Sequence, residues 1–122
     1  MFPKYWIEFI RSNNLSGKAA SLSDQIDQSG VGVELSFLTN AQAVDEATNF
    51  WPGIGVSPDG FVPVGECQIG SGDYYYININ DGPDGALYRI YHDEVGEHGY
   101  QRDRAVALIL KNYREVLPYV TA

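Results

Sequence analysis

His92, Asp93, Glu94 and His98 crowd into seven residues, and imidazole and carboxylate are both competent metal ligands. A metal-dependent hydrolase could be built from such groups. A catalytic site needs about three protein ligands, however, and the chain holds only two histidines. A histidine at a strand end that bonds locally explains the cluster better. Gly70-Ser71-Gly72-Asp73 has the glycines of a phosphate loop but neither its lysine nor a helix behind it, and Asp73 would repel an anion. A tight hairpin turn fits these residues better. Asn80, Asp81, Gly82 and Asp84 miss the alternating ligands and distal glutamate of a calcium loop. Cys67 is the only cysteine, and the adjacent Glu66 should raise its pKa and blunt its reactivity. Ser71 lacks the Gly-x-Ser-x-Gly setting of a hydrolase nucleophile. The expectation is a protein with no catalytic residues, no cofactor and no metal.

The elements that must position these groups can be read from pattern. Pro3 opens a helix with Phe2, Trp6, Phe9 and Ile10 near one face, ended by Asn13 and Asn14. Residues 18–30 fit a short helix or an ordered loop equally. Val33 to Leu38 reads as a strand, with Val33, Leu35 and Phe37 on one side. Thr39 and Gln42 form a capping box for a helix carrying Ala43, Val44, Ala47 and Phe50, stopped by Pro52-Gly53. Gly55 to Gly60 reads as a turn. Phe61 to Val64 is a short strand. Asp73 to Asn80 is the clearest strand, with Tyr75, Ile77 and Ile79 on one face and Tyr74, Tyr76, Asn78 and Asn80 on the other. Asp81-Gly-Pro-Asp-Gly is a turn, and Ala86 to His92 returns antiparallel. From Asp103 the spacing of Val106, Ile109, Leu110, Tyr113 and Leu117 predicts a C-terminal helix ended by Pro118. Helices at both ends of a run of strands define one α+β domain over 1–122, with a central antiparallel sheet.

Charge narrows the partners. The chain carries a net −8. Residues 66–97 hold seven acids against the single base Arg89, whereas 98–122 hold four bases against two acids. An acidic field repels nucleic acid and anionic lipid and steers basic proteins inward; acidity that only maintains solubility is the competing explanation. Tyrosine offers large contact area at little rotamer entropy. Tyr74, Tyr76 and Tyr91, with Asp73, Asp81, Asp84, Asp93 and Glu94, are therefore the candidate partner-binding residues. Two alternatives stay open: a second helical layer over the tyrosine face, and a purely structural role for Asp73. A lone cysteine, no membrane-length apolar run and no signal-peptide pattern lead to the expectation of a cytoplasmic protein.

Phe61-Val-Pro-Val-Gly, then Gly72-Asp73-Tyr-Tyr-Tyr, then Gly85-Ala-Leu-Tyr-Arg-Ile-Tyr-His-Asp resembles the SUKH superfamily, also called the Smi/Knr family. Phe2-Pro-Lys-Tyr-Trp-Ile-Glu-Phe-Ile with Asn13-Asn14 resembles its first helix, and Phe37-Leu-Thr-Asn-Ala-Gln-Ala-Val its strand-into-helix step. The chain departs from the pattern where Leu15 follows Asn14 in place of glycine, and 18–30 has no clear counterpart. The resemblance implies an α+β fold and a non-catalytic role. Many bacterial members are immunity proteins that neutralise toxins, often nucleases; fungal members regulate cell-wall synthesis through protein contacts. The partner so implied is a protein, with a basic nuclease toxin foremost. A regulator of wall synthesis is the first alternative, and a metal-dependent hydrolase centred on His92, Asp93 and His98 is the second.

Overall fold

The computed structural model describes residues 1–121. α1 (Lys4–Ser12) follows Pro3, which sits extended at its N-cap. Trp6 and Phe9 on one face of α1 are buried. Asn13 bonds back to the Phe9 carbonyl, and Asn14 takes a left-handed φ of 53° that ends the helix. β1 (Ala19–Leu22) lies where a helix or loop was expected. Its Ala-Ala-Ser-Leu alternation is short, and alanine favours strands weakly. Pairing with β2 (Val33–Phe37) determines its state.

β2 leads into α2 (Asn40–Asn49) through Thr39, and both arms of the capping box form. The Gln42 backbone N–H donates to the Thr39 hydroxyl at 3.1 Å, and the Thr39 N–H donates to the Gln42 side chain at 2.8 Å. Ala43 and Ala47 face the core, while Val44 and Phe50 remain exposed. A short α3 (Gly53–Val56) and a 3-10 turn over Ser57–Asp59 occupy the expected loop. β3 (Phe61–Cys67) runs three residues further than its apolar stretch suggests and carries a bulge between Pro63 and Gly65. A side chain at Gly65 would meet Leu35 at 2.6 Å, so β2 and β3 approach closely only because none is there. β4 (Tyr74–Asn78) ends two residues early, because Ile79–Asp84 turns into 3-10 geometry. β5 (Leu87–Ile90) returns antiparallel to it.

The C-terminal helix is not formed. α4 (Arg102–Ala105) is a single turn, Val106–Leu110 is β6, and Tyr113–Tyr119 is 3-10. Val-Ala-Leu-Ile-Leu suits a strand as well as a helical stripe. The free edge of β5 selects the strand through the pairs Ile90 with Val106, Arg89 with Ala107 and Tyr88 with Leu108. β7 (Val120–Thr121) then pairs with β1. The result is α+β: one antiparallel seven-stranded sheet in the order β6-β5-β4-β3-β2-β1-β7, with helices against it.

That order requires the sheet to curl. In a flat sheet β6 and β7 would stand six spacings, roughly 29 Å, apart. In the connection between them the 3-10 segment Tyr113–Tyr119 rises only about 2 Å per residue, roughly 14 Å, and Lys111 and Asn112 add at most about 7 Å. The concave face holds Leu22, Leu35, Val64, Tyr75, Ile77, Leu87 and Ile109, plugged by Trp6, Phe9 and Tyr113. The Tyr113 ring packs edge-on against Trp6 and Phe9 at 5.1 and 4.9 Å between centroids. A smaller cluster of Val56, Phe61, Tyr76, Ile90, Val95 and Ala105 packs on the other face.

One charged side chain enters the concave core. Arg89 alternates with Tyr88 and Ile90 and so shares the face of Leu87. It is 3% exposed and meets Asp27, 2% exposed, at 3.4 Å. Asp27 belongs to the β1–β2 loop. Its carboxylate also accepts hydrogen bonds from the Ser29 backbone and hydroxyl and from the Gly32 backbone. Arg89 Nη2 donates to the Gly32 carbonyl at 2.6 Å, and its guanidinium lies 5.2 Å from the centre of the Tyr75 ring. The Gln28 backbone N–H completes the closure by donating to the Ile109 carbonyl. Removing one member of a buried pair strands the other. Asp27→Ala is therefore expected to lower the unfolding free energy by about 3 kcal/mol or more in urea titration, and adding Arg89→Met should recover part of the loss. A loss under about 1 kcal/mol would show that the pair does not anchor the loop.

Candidate docking site

The eight candidate contact residues do not form one surface. Seven of them divide between the two ends of the β4–β5 hairpin, separated by the length of β4, roughly 15 Å, and Tyr76 lies midway along β4. Asp81 and Asp84 lie at one end, in the 79–84 turn. Both carboxylates are engaged there: the Tyr88 hydroxyl donates to Asp81 at 2.7 Å, and Arg114 pairs with Asp84 at 2.7 Å. Arg114 thus offsets half of the negative charge expected of this turn.

Asp73, Tyr74, Tyr91, Asp93 and Glu94 lie at the other end. Asp73 is largely buried, and its Oδ1 accepts both the His92 backbone N–H at 2.9 Å and the His92 ring Nδ1–H at 2.7 Å. The structural role is therefore the one Asp73 plays: it clasps the start of β4 to the end of β5. Its loop, residues 68–73, does join two antiparallel strands but is longer than the tight turn expected, with Gly70 and Gly72 at positive φ. Tyr91 is half-buried, and its backbone N–H donates to the Ala105 carbonyl. Asp93 and Glu94 are exposed in a 3-10 turn. His98 is exposed on the following loop, and among the described residues no group of histidine, cysteine, aspartate and glutamate is placed to hold a metal ion.

Tyr76 corrects the expectation most sharply. It is fully buried beneath Val56, Val95 and Ala105, so it cannot touch a partner. α3, α4 and Val95 supply the second layer over this tyrosine face. Cys67 also departs from its expected behaviour. Burial pushes its thiol up, but hydrogen bonds from the Ser71 side chain and backbone, the Ile69 backbone and Tyr75 outweigh burial and leave the pKa below its ordinary value.

Tyr74 is the candidate residue with a site around it. It lines a cleft of about 190 Å³ with Leu38, Gln42, Asp45, Glu46 and Glu66. The elements explain the convergence. Glu66 stands opposite Tyr74 across the β3–β4 ladder, and the Tyr74 hydroxyl makes a long hydrogen bond to it, 3.4 Å. Gln42, Asp45 and Glu46 fall at i, i+3 and i+4 of α2 and so share a helix face. Leu38, at the β2–α2 junction, supplies an apolar wall. Among the described residues no cation pairs with Asp45, Glu46 or Glu66.

The electrostatics follow. Burial raises the Glu46 carboxyl above its ordinary value; the Tyr74 hydroxyl opposes this, and Asp45 and Glu66 push it up further. Burial, then the charges of Glu46 and Glu66, push Tyr74 up to about 12. Such a cleft can stabilise an ammonium or guanidinium group and would repel an anion. The spacing of Gln42, Asp45 and Glu46 was a readable signal for it; the contribution of Glu66 depends on the β3–β4 register, which the bulge sets.

No protein family, no curated protein and no solved structure matches this chain. No helix among the described residues is long and apolar enough to cross a membrane.

Tyr88 and Tyr100 also sit at about 12, chiefly from burial and then from Asp81 and Asp59 respectively. Phenols titrate near 10 in an unfolded chain. Because the folded values are higher, their contribution to stability is complete below about pH 10 and is lost as pH rises toward 12. Urea midpoints should stay level up to about pH 10 and fall steeply above it, with a smaller fall in Tyr74→Phe. A midpoint unchanged at pH 11.5 would contradict this.

Proposed function

We propose that this protein is a non-catalytic binding module that captures a basic protein through the acidic cleft around Tyr74. The observation that carries the reading is the cleft itself: three carboxylates and a phenol converge on a concave site with no cation among the described residues to neutralise them. An arginine or lysine from a partner would lay its alkyl stem on Leu38 and its charge among Asp45, Glu46 and Glu66. The wider field of the chain, −8 overall, would speed encounter with a basic surface. The candidate reactive groups support the same reading, because Asp73 and His92 are occupied with each other in holding the hairpin.

The resemblance of Phe61–Gly65, Gly72–Tyr76 and Gly85–Asp93 to the SUKH superfamily narrows the proposal. It makes the partner a toxin, a nuclease foremost, and the role that of an immunity protein acting in the cytoplasm. A basic active face on a nuclease is complementary to the cleft. In this reading Tyr74 is a central contact, with Tyr91, Asp93 and Glu94 on the same end of the hairpin.

The test is to read the gene beside this protein's own for a basic toxin and to titrate its product by calorimetry; finding no such gene would count against the immunity role. Truncating a buried charge contact costs about 2–5 kcal/mol, which is about thirtyfold or more in affinity. Asp45→Lys with Glu66→Lys should weaken binding by at least that factor, and higher salt should weaken the wild type. Asp81→Lys with Asp84→Lys, at the far end, should leave the affinity within about threefold. Equal loss in both pairs, or loss in neither, would overturn the cleft as the docking site.

A further inference from the structure

A second concavity, of about 490 Å³, opens between α1 and the β2–α2 junction. It is unlike the acidic cleft in composition. Phe2, Ile7, Ile10 and Leu38 form its walls, and Arg11 is the one charged residue that lines it. Asn14, Ser16, Thr39 and Asn40 add amide and hydroxyl groups. The shape is held from two sides. The Phe2 backbone N–H donates to Asn40 Oδ1 at 2.9 Å, tying the segment before α1 to the start of α2. The left-handed Asn14 and the bond from the Leu15 N–H to the Ile10 carbonyl fold the chain back after α1.

Arg11 has no carboxylate partner among the described residues. Glu8, one turn earlier on α1, does not reach it. Arg89 and Arg114 are paired with Asp27 and Asp84, and Arg102 lies over the Phe61 and Tyr88 rings; Arg104, like Arg11, has no such partner among the described residues, but it does not line this groove. In a chain of net charge −8, an unpaired guanidinium over an apolar floor is a local reversal of the field. Concave sites of this size with mostly apolar walls and a few polar groups are the common form of small-molecule sites. The complementary ligand has an apolar body to cover Ile7, Ile10 and Leu38 and one anionic head for Arg11, since guanidinium pairs with carboxylate in a forked geometry.

We propose that this groove is a binding site for a small amphipathic carboxylate: a single acid group on an aliphatic or aromatic body. The groove shares only Leu38 with the acidic cleft; Ile7 and Arg11 lie outside that cleft, so variants there test this proposal independently of the docking function.

Decanoate is a suitable probe, used below its micellar concentration and followed by calorimetry and by amide NMR shifts. Saturable one-site binding is expected, with shifts centred on Phe2, Ile7, Arg11, Asn14 and Asn40. Acetate, which has the head without the body, and decyltrimethylammonium, which has the body with the opposite charge, should each bind at least tenfold more weakly. Arg11→Glu should weaken decanoate at least tenfold and reverse the preference between the two ten-carbon probes. Ile7→Asp should weaken decanoate similarly. Both positions are solvent-exposed, so circular dichroism should match the wild type, and urea midpoints should fall only slightly, because Arg11 sits in the last turn of α1 and Ile7 within it. Binding of the two ten-carbon probes with equal affinity, shifts located elsewhere, or decanoate affinity unchanged in Arg11→Glu would each overturn the proposal.

Discussion

The ion pair between Arg89 and Asp27 is the constraint on which the shape of this protein depends. In a flat sheet β1 and β5 lie four strand spacings apart, roughly 19 Å. The loop leaving β1 nevertheless places Asp27 against the guanidinium of β5. The curl of the sheet and the reach of the β1–β2 loop together permit this, and the pair helps to hold the curl closed, because neither charge tolerates the apolar interior alone. Tyr75 takes part by laying its ring against the guanidinium. Specificity follows from the same arrangement: of the residues on the concave face of β5, Arg89 alone needs a carboxylate, and the β1–β2 loop delivers one.

The curl also decides what a partner can see. Tyr74 and Tyr76 are two residues apart on one face of β4, yet Tyr76 lies under α3, Val95 and Ala105 while Tyr74 emerges at the rim beside α2. Alternation within a strand assigns a face; it does not say where along the strand the covering layer stops. The rim position gives Tyr74 its acidic neighbours, and the layer over the rest of the face removes Tyr76 from contact.

Much of this was legible locally. The capping box at Thr39 and Gln42, the proline-opened α1, the alternation of β2 and the glycine turns before β4 and after it are short-range features, and the structure keeps them. Two segments were not legible. Ala19–Leu22 has too little β-branching to announce a strand, and its state comes from β2 beside it. Val106–Leu110 carries a helical stripe and a strand composition together, and the open edge of β5 decides between them. The candidate site was half legible: Tyr74 was named, but Glu66 joins it only through a register set by a bulge, and Asp45 and Glu46 join it through helix packing.

The strand order has one more consequence. From β1 to β6, every strand lies beside its predecessor in the chain, and only β7 pairs with a strand far away in sequence. Such a meander can zip up progressively as the polypeptide emerges from the ribosome, each new ribbon docking onto the last, because nearly all its ladders join neighbours and so carry little loop-closure entropy. Joining Ala19 to Thr121, and with it the final seam of the curl, has to wait until the ribosome has passed Thr121.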